Sequence, residues 1–194
     1  MTDLLSLYLF VFLGLFSPGP NVILLTASGA RYGFARTIPH ILGVVLGVGV
    51  IAAFAGLGLG VVILEYPMLR VIISFVAAGW IGYLAWRLWQ TTAPQHTDAD
   101  RPFTFLQAVL FQWVNPKLWG VAMTAIAFVP VTYAPTQTAM AMGVAFAGVN
   151  LFVCAFWTVF GQGLSGVLNS PRGFQIFLRI MAVFLLLSAL MIFV

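Results

Sequence analysis

The sequence predicts an all-α integral membrane protein of six transmembrane helices, arranged as two inverted three-helix repeats whose first and fourth helices are broken by proline. Three observations predict it. Hydrophobic residues fill 62% of the 194 positions and charged residues only 6%. Soluble domains carry about 25% charged residues, so this chain could not cover a soluble surface. Six apolar stretches each approach the roughly 20 residues that a span requires. The leading stretch of each half also carries a helix breaker, Ser17-Pro18-Gly19-Pro20-Asn21 in one and Asn115-Pro116-Lys117 in the other. Broken helices at membrane depth are tolerated where the freed backbone lines a cavity. A pair of them in corresponding positions of two halves points to a transporter's binding site.

In chain order the predicted spans are 4–28, 40–64, 70–89, 103–132, 138–160 and 174–194. The first has Asp3 where a cleaved leader carries positive charge, and its apolar run is too long for one, so it reads as a retained span. Arg31–Arg36 reads as a short polar turn. In the second span, Gly43-x-x-x-Gly47 and Gly56-x-Gly58-x-Gly60 permit close helix approach, with the broken first helix as expected partner. Residues 91–102, which hold Pro94, His96, Asp98 and Asp100, form the one stretch that reads as a solvated loop. The fourth span is too long. At about 1.5 Å per residue it would reach roughly 45 Å, against a hydrocarbon core of about 30 Å. It must tilt, kink at Asn115-Pro116, or begin as a re-entrant or interfacial piece over 103–116. Tyr133-Ala134-Pro135 precedes the fifth span, and 161–173 joins it to the sixth.

The chain therefore reads as a single transmembrane domain. Residues 1–90 and 103–194 each hold three spans, and an odd number per half forces opposite orientations. Arg31, Arg36, Arg87, Arg101 and Arg172 fall in or beside the first, third and fifth loops, whereas only Arg70 flanks the other side. Positive charge marks cytoplasmic loops, so 91–102 is expected in the cytoplasm and both termini outside. The loop arginines orient the protein and attract anionic groups.

Each break offers chemistry. Proline frees the carbonyl four residues back, here those of Gly14, Phe16 and Gln112. Ser17-Pro18 and Asn115-Pro116 both read as an N-cap followed by proline at the first helical position, and a helix start presents free N–H groups to an anion. Acceptors beside donors suit a zwitterionic amino acid. Lys117 is a carboxylate clamp or a charge that moves during transport; the plainer reading is a lysine snorkelling to the headgroups. Asn21 supplies donors and acceptors, or simply bridges two helices.

Other residues divide the same way. His40 titrates in a proton cycle or merely faces water at a span end. Arg179 is a structural bridge or a gate. Trp113 and Trp119 flank the second break as pocket walls or lipid-facing rings. The single cysteine, Cys154, excludes an internal disulfide and any CxxC pair and reads as packing. No metal-ligand spacing, cofactor motif or basic run for nucleic acid is present. An intramembrane enzyme would have to rest on Ser17 as nucleophile with Lys117 as base. A passive channel or structural subunit is the remaining rival.

These motifs resemble the LysE/RhtB family of small amino-acid exporters. The match runs through Ser17-Pro18-Gly19-Pro20-Asn21, Gly29-x-Arg31-x-Gly33, Gly43 and Gly47, Gly79-x-x-Gly82-Tyr83-Leu84-Ala85-Trp86, Asn115-Pro116-Lys117 and Arg179, and covers essentially the whole chain. The resemblance implies export of amino acids or related metabolites across the bacterial inner membrane, coupled to protons by antiport and working by alternating access. It assigns the substrate to Pro18, Gly19, Pro20, Asn21, Asn115, Pro116 and Lys117, to which the reading of the first break adds Ser17. His40 and Arg179 stand as coupling or gate positions. The expected partners are a small amino acid, protons and the bilayer, with a homodimer left open as the assembly.

Overall fold

A computed structural model describes residues 4–17, 19–59, 66–90, 101–167 and 170–190. Among them the chain forms seven α-helices and one 3-10 turn, with no strand. The helices are α1 (Leu4–Phe16), α2 (Pro20–Gly56), α3 (Pro67–Gln90), α4 (Phe105–Trp113), α5 (Pro116–Ala125), α6 (Pro135–Val167) and α7 (Pro171–Leu190); the 3-10 turn Ile126–Phe128 follows α5. Among the described residues three stretches are long and apolar enough to cross a membrane, Pro20–Gly56, Pro135–Leu164 and Pro171–Leu190. Large apolar side chains such as Leu9, Leu13, Phe75, Phe152, Ile176 and Leu187 point outward. A lipid environment accepts that surface; water would not.

Both predicted breaks are present. α1 stops at Phe16 and α2 starts at Pro20. α4 stops at Trp113 and α5 starts at Pro116. The long apolar run over 103–132 is therefore interrupted at Val114-Asn115, where the Asn115-Pro116 break was expected. A capping box opens α4: the Thr104 hydroxyl accepts from the Gln107 N–H at 3.3 Å, while the Gln107 side chain accepts from the Thr104 N–H at 3.0 Å.

The polar turn expected over 31–36 is narrower than its composition suggests. Helix runs on both sides of Gly33, which alone leaves helical geometry with φ 77° and ψ 170°, a region that favours glycine. The α2 chain is thus two helical segments joined at one residue. The hinge is pinned from both sides. The Phe34 N–H donates to the Gln162 side chain. Thr37 donates its hydroxyl to the Gly33 carbonyl at 2.8 Å and lies 3.1 Å from the Ser28 hydroxyl.

Helix α2 packs mainly on α6 and also against α4 and α5, while α3 packs on α7. The glycines of α2 set these approaches, with partners other than the expected one. A Cβ on Gly43 would run into the Phe105 carbonyl, and one on Gly47 would sit 2.6 Å from Gln112 Cγ. Both glycines therefore admit α4, the start of the second broken helix, rather than the first. Gly49 and Gly56 face α6; Gly60 lies outside the described residues. The α6 helix also continues past residue 160, where the composition predicts a loop, because Gly161 seats directly on the backbone of α2. A Cβ on Gly161 would meet the Thr26 carbonyl, and a Cβ on Gly29 would meet that of Thr158. Each threonine turns its hydroxyl onto its own helix, Thr26 to the Val22 carbonyl and Thr158 to the Cys154 carbonyl, both at 2.7 Å. The two Thr-x-x-Gly segments cross reciprocally.

The main apolar core collects Leu7, Val44, Val48, Ile51, Met142 and Phe146. A second joins Ile23, Ile81, Phe111 and Leu185. The two breaks meet beside the first.

Candidate functional site

At the first break, Gly19 rather than Ser17 is the residue before the helix, with Pro20 in the first turn. Two prolines two residues apart move the helix start inward, so Ser17 cannot cap it. Its hydroxyl turns back and donates to the Gly14 carbonyl at 2.9 Å. That is one of the carbonyls expected to be left for a ligand, and the chain satisfies it locally. Pro18 lies outside the described residues.

At the second break Asn115 holds the N-cap position with Pro116 behind it, as expected, but its side chain makes no capping bond. The Gln112 carbonyl freed by Pro116 accepts from the Asn115 N–H at 3.1 Å. The Trp119 indole donates to the Trp113 carbonyl at 3.1 Å and closes the end of α4. Neither tryptophan lines the cavity between the breaks.

Two links join the breaks. The Lys117 ammonium donates to the Ser17 carbonyl. Its stem lies across Gly19, where a Cβ would come within 2.8 Å of Lys117 Cδ. Gly19 has extended backbone that any residue adopts, so glycine serves close approach here rather than conformation. The second link is an exchange of amides. Asn21 Nδ2 donates to Gln112 Oε1 at 2.8 Å, and Gln112 Nε2 donates to Asn21 Oδ1 at 3.1 Å and to the Ala108 carbonyl at 2.9 Å. Gln112 is fully buried.

Between the breaks lies a cavity of about 20 Å³, enough for about one water. Five expected residues line it: Gly19, Pro20, Asn21, Asn115 and Lys117. Ser17 and Pro116 do not. Leu15, Val22, Leu25, Leu118 and Val153 supply apolar walls, and Cys154, which packs in the main core as expected, joins them. Asn150, from the middle of α6, completes the lining and was not legible as a site residue. The only signal was an amide inside a long apolar run.

Two polar atoms here lack a hydrogen-bond partner among the described residues, Asn115 Oδ1 and Asn150 Nδ2. Their residues are 2% and 3% exposed. One is an acceptor and the other a donor. A buried polar atom left unpaired costs about 1–3 kcal/mol, and a ligand carrying both an ammonium and a carboxylate can repay both. Lys117 adds a cation to the donor side.

His40 and Arg179 are not brought to this cavity. His40 is buried against Phe103, with ring centroids 5.1 Å apart, and lines a separate cavity. Arg179 on α7 lies over the Trp89 ring of α3, 5.1 Å from its centroid, a cation–π contact that bridges two helices. Among the described residues no group of three or more metal-binding side chains gathers.

A model of the LysE type translocator family matches residues 12–194. The chain is similar to the cysteine/O-acetylserine efflux protein of Salmonella typhimurium, 26% identical over 149 residues and 75% of each chain. It is also similar to the protein of that name from Escherichia coli O1:K1, 27% identical over 151 residues and 75% of each chain. No solved structure matches.

Proposed function

Because the chain belongs to the LysE type translocator family, a translocator rather than an enzyme, we propose that it exports a small neutral amino acid from the bacterial cytoplasm by proton antiport and alternating access. The observation that carries this reading is the meeting of the two proline breaks on one cavity, lined by one residue with an unpartnered acceptor, Asn115, and one with an unpartnered donor, Asn150. The substrate ammonium is held by Asn115 Oδ1. Its carboxylate is held by Asn150 Nδ2 and by Lys117, which exchanges the Ser17 carbonyl for it. Asn21 is held in place by Gln112. The names of the relatives point to O-acetylserine and cysteine as the first substrates to try.

The cavity admits about one water, too little for an amino acid. Substrate enters when the contacts between the breaks part. A clamp that opens by releasing Lys117 from Ser17, and Asn21 from Gln112, needs no group from outside the two broken helices. In this reading the six spans form two inverted repeats, α1 with the first segment of α2 answering to α4 with α5. The ends bearing Arg31, Arg36, Arg87 and Arg101 lie in the cytoplasm.

The test is transport in proteoliposomes with a panel of amino acids that includes O-acetylserine and cysteine. Uphill movement of a panel member in wild type, abolished by uncoupler and by Lys117→Ala, is expected. Downhill movement alone, indifferent to uncoupler, makes the protein a channel and overturns the reading.

A further inference from the structure

We propose that Cys154, together with Leu118, walls the subsite for the substrate's side chain and sets what the exporter accepts, an uncharged side chain of a few heavy atoms; this rests on the exporter reading above. Two independent observations meet at these residues. The first is the pair of unpartnered atoms. Asn115 Oδ1 and Asn150 Nδ2 lack partners among the described residues, and both residues are buried and line the cavity between the breaks. Buried polar atoms are nearly always paired, so this pair marks where a ligand's ammonium and carboxylate would rest.

The second is what lies one turn from each of them. Cys154 follows Asn150 by four residues on α6. Side chains at that spacing are neighbours on one helix face, about 5–6 Å apart between Cβ atoms. Leu118 closes the first turn of α5 onto Asn115, its N–H donating to the Asn115 carbonyl at 3.2 Å. Cys154 and Leu118 are both buried and both line the same cavity. A solute anchored on Asn115 and Asn150 therefore has its α-carbon within reach of both walls. The wall selects by charge as well. Among the described residues that line the cavity, Lys117 is the only charged one and none carries a carboxylate. A basic side chain would find no counter-charge there. An acidic one would compete with the substrate's own carboxylate for one ammonium. Burying either unpaired is costly. The thiol offers a small polarizable surface instead.

The spacing outlasts the opening of the breaks. The α6 helix runs unbroken from Pro135 to Val167, so Asn150 and Cys154 move as one body when the contacts of Lys117 and Asn21 part. The helix is a ruler between the group that holds the carboxylate and the group that meets the side chain. One turn beyond Cys154 the ruler ends. Thr158 turns its hydroxyl onto the Cys154 carbonyl at 2.7 Å and seats its backbone against Gly29. That crossing closes the subsite behind the thiol, and a long side chain has no room there.

The test begins with wild type, because Cys154 is the chain's single cysteine. Proteoliposomes are treated with methyl methanethiosulfonate, and labelling of Cys154 is followed with alanine, serine, O-acetylserine, leucine, lysine or glutamate present. The small uncharged amino acids are expected to slow labelling severalfold, and lysine and glutamate to leave it unchanged. Uphill transport of the same panel is then measured for wild type, Cys154→Ser, Cys154→Ala and Cys154→Leu. The readout is the ratio between substrates, which is indifferent to how much of each variant folds. Cys154→Ala is expected to raise leucine relative to serine, and Cys154→Leu to lower O-acetylserine relative to alanine, each about tenfold, the discrimination that a methylene group brings in an apolar pocket. Cys154→Ser, which conserves volume, keeps the ratios close to wild type. A uniform loss across the panel makes Cys154 a packing residue and overturns the subsite. So do unchanged ratios, equal protection by lysine, or a thiol that never reacts in a transporting protein. Transport with unchanged ratios leaves the exporter standing without this subsite. Protection by small uncharged amino acids with no uphill movement of any keeps the subsite and removes the exporter. Neither protection nor transport removes both.

Discussion

Asn21 and Gln112 each donate to and accept from the other, at 2.8 and 3.1 Å. The pair joins the start of the α2 helix to the end of α4. It is the amide counterpart of the Lys117–Ser17 link, and it leaves neither side chain with an unmade bond toward its partner.

Removing one member strands the other. Asn21→Leu, which strands the fully buried Gln112, is expected to lower stability by about 1–3 kcal/mol, the cost of a buried polar group left unpaired, and Gln112→Leu, which strands the half-buried Asn21, by less. The double variant Asn21→Leu/Gln112→Leu is expected to lose less than the sum. Unfolding in mixed micelles, run as a double-mutant cycle, measures it. Strict additivity would show that the two amides act independently.

The unpaired Asn150 predicts the opposite pattern. Its Nδ2 has no partner to lose, so Asn150→Leu is expected to leave stability unchanged or slightly raised. Transport should fall about tenfold or more, since a substrate contact of this kind is worth over 1 kcal/mol. Melting and transport measured on one preparation separate the two effects. A variant that loses stability in proportion to transport would make Asn150 a structural residue.

The glycines divide sharply. Gly29→Ala and Gly161→Ala each place a methyl group on a backbone carbonyl of the facing helix, and each is expected to cost about 1–3 kcal/mol as overpacking. Gly79 and Gly82 have nothing within 4 Å of a Cβ. Gly79→Ala and Gly82→Ala are expected to be neutral or to gain up to about 1 kcal/mol from helix propensity. Thermal melts of the four variants check the contrast.

The breaks were legible because proline acts through its own backbone: Pro116 marks its helix start from sequence alone, while the first start, read at Pro18, lies at Pro20. Which atoms the breaks leave open was not. Ser17 reads as a cap, yet the second proline shifts the helix start past it and the hydroxyl folds back on Gly14. Gln112 gave no signal, because its partner Asn21 is 91 residues away and pairing at that distance is decided by packing. Asn150 was marked only as an amide inside a long apolar run, because which side chains reach the breaks is likewise decided by packing. Gly33 was legible as part of a turn, but the turn's width was not. Composition marks where helix is disfavoured, and one glycine with positive φ is enough to redirect the chain.

In the alternating-access reading proposed above, the reciprocal seat of Thr26 on Gly161 and Thr158 on Gly29 serves as a fulcrum. The first segment of α2 is a short rod crossing α6 there, turned at its far end by Gly33 away from the remainder of its own helix. About 10 Å of rod separates the crossing from Asn21. A tilt of roughly 20° about the crossing swings Asn21 by about 3 Å, the length of a hydrogen bond. A small rocking at one end of the rod is thereby geared into parting the breaks at the other.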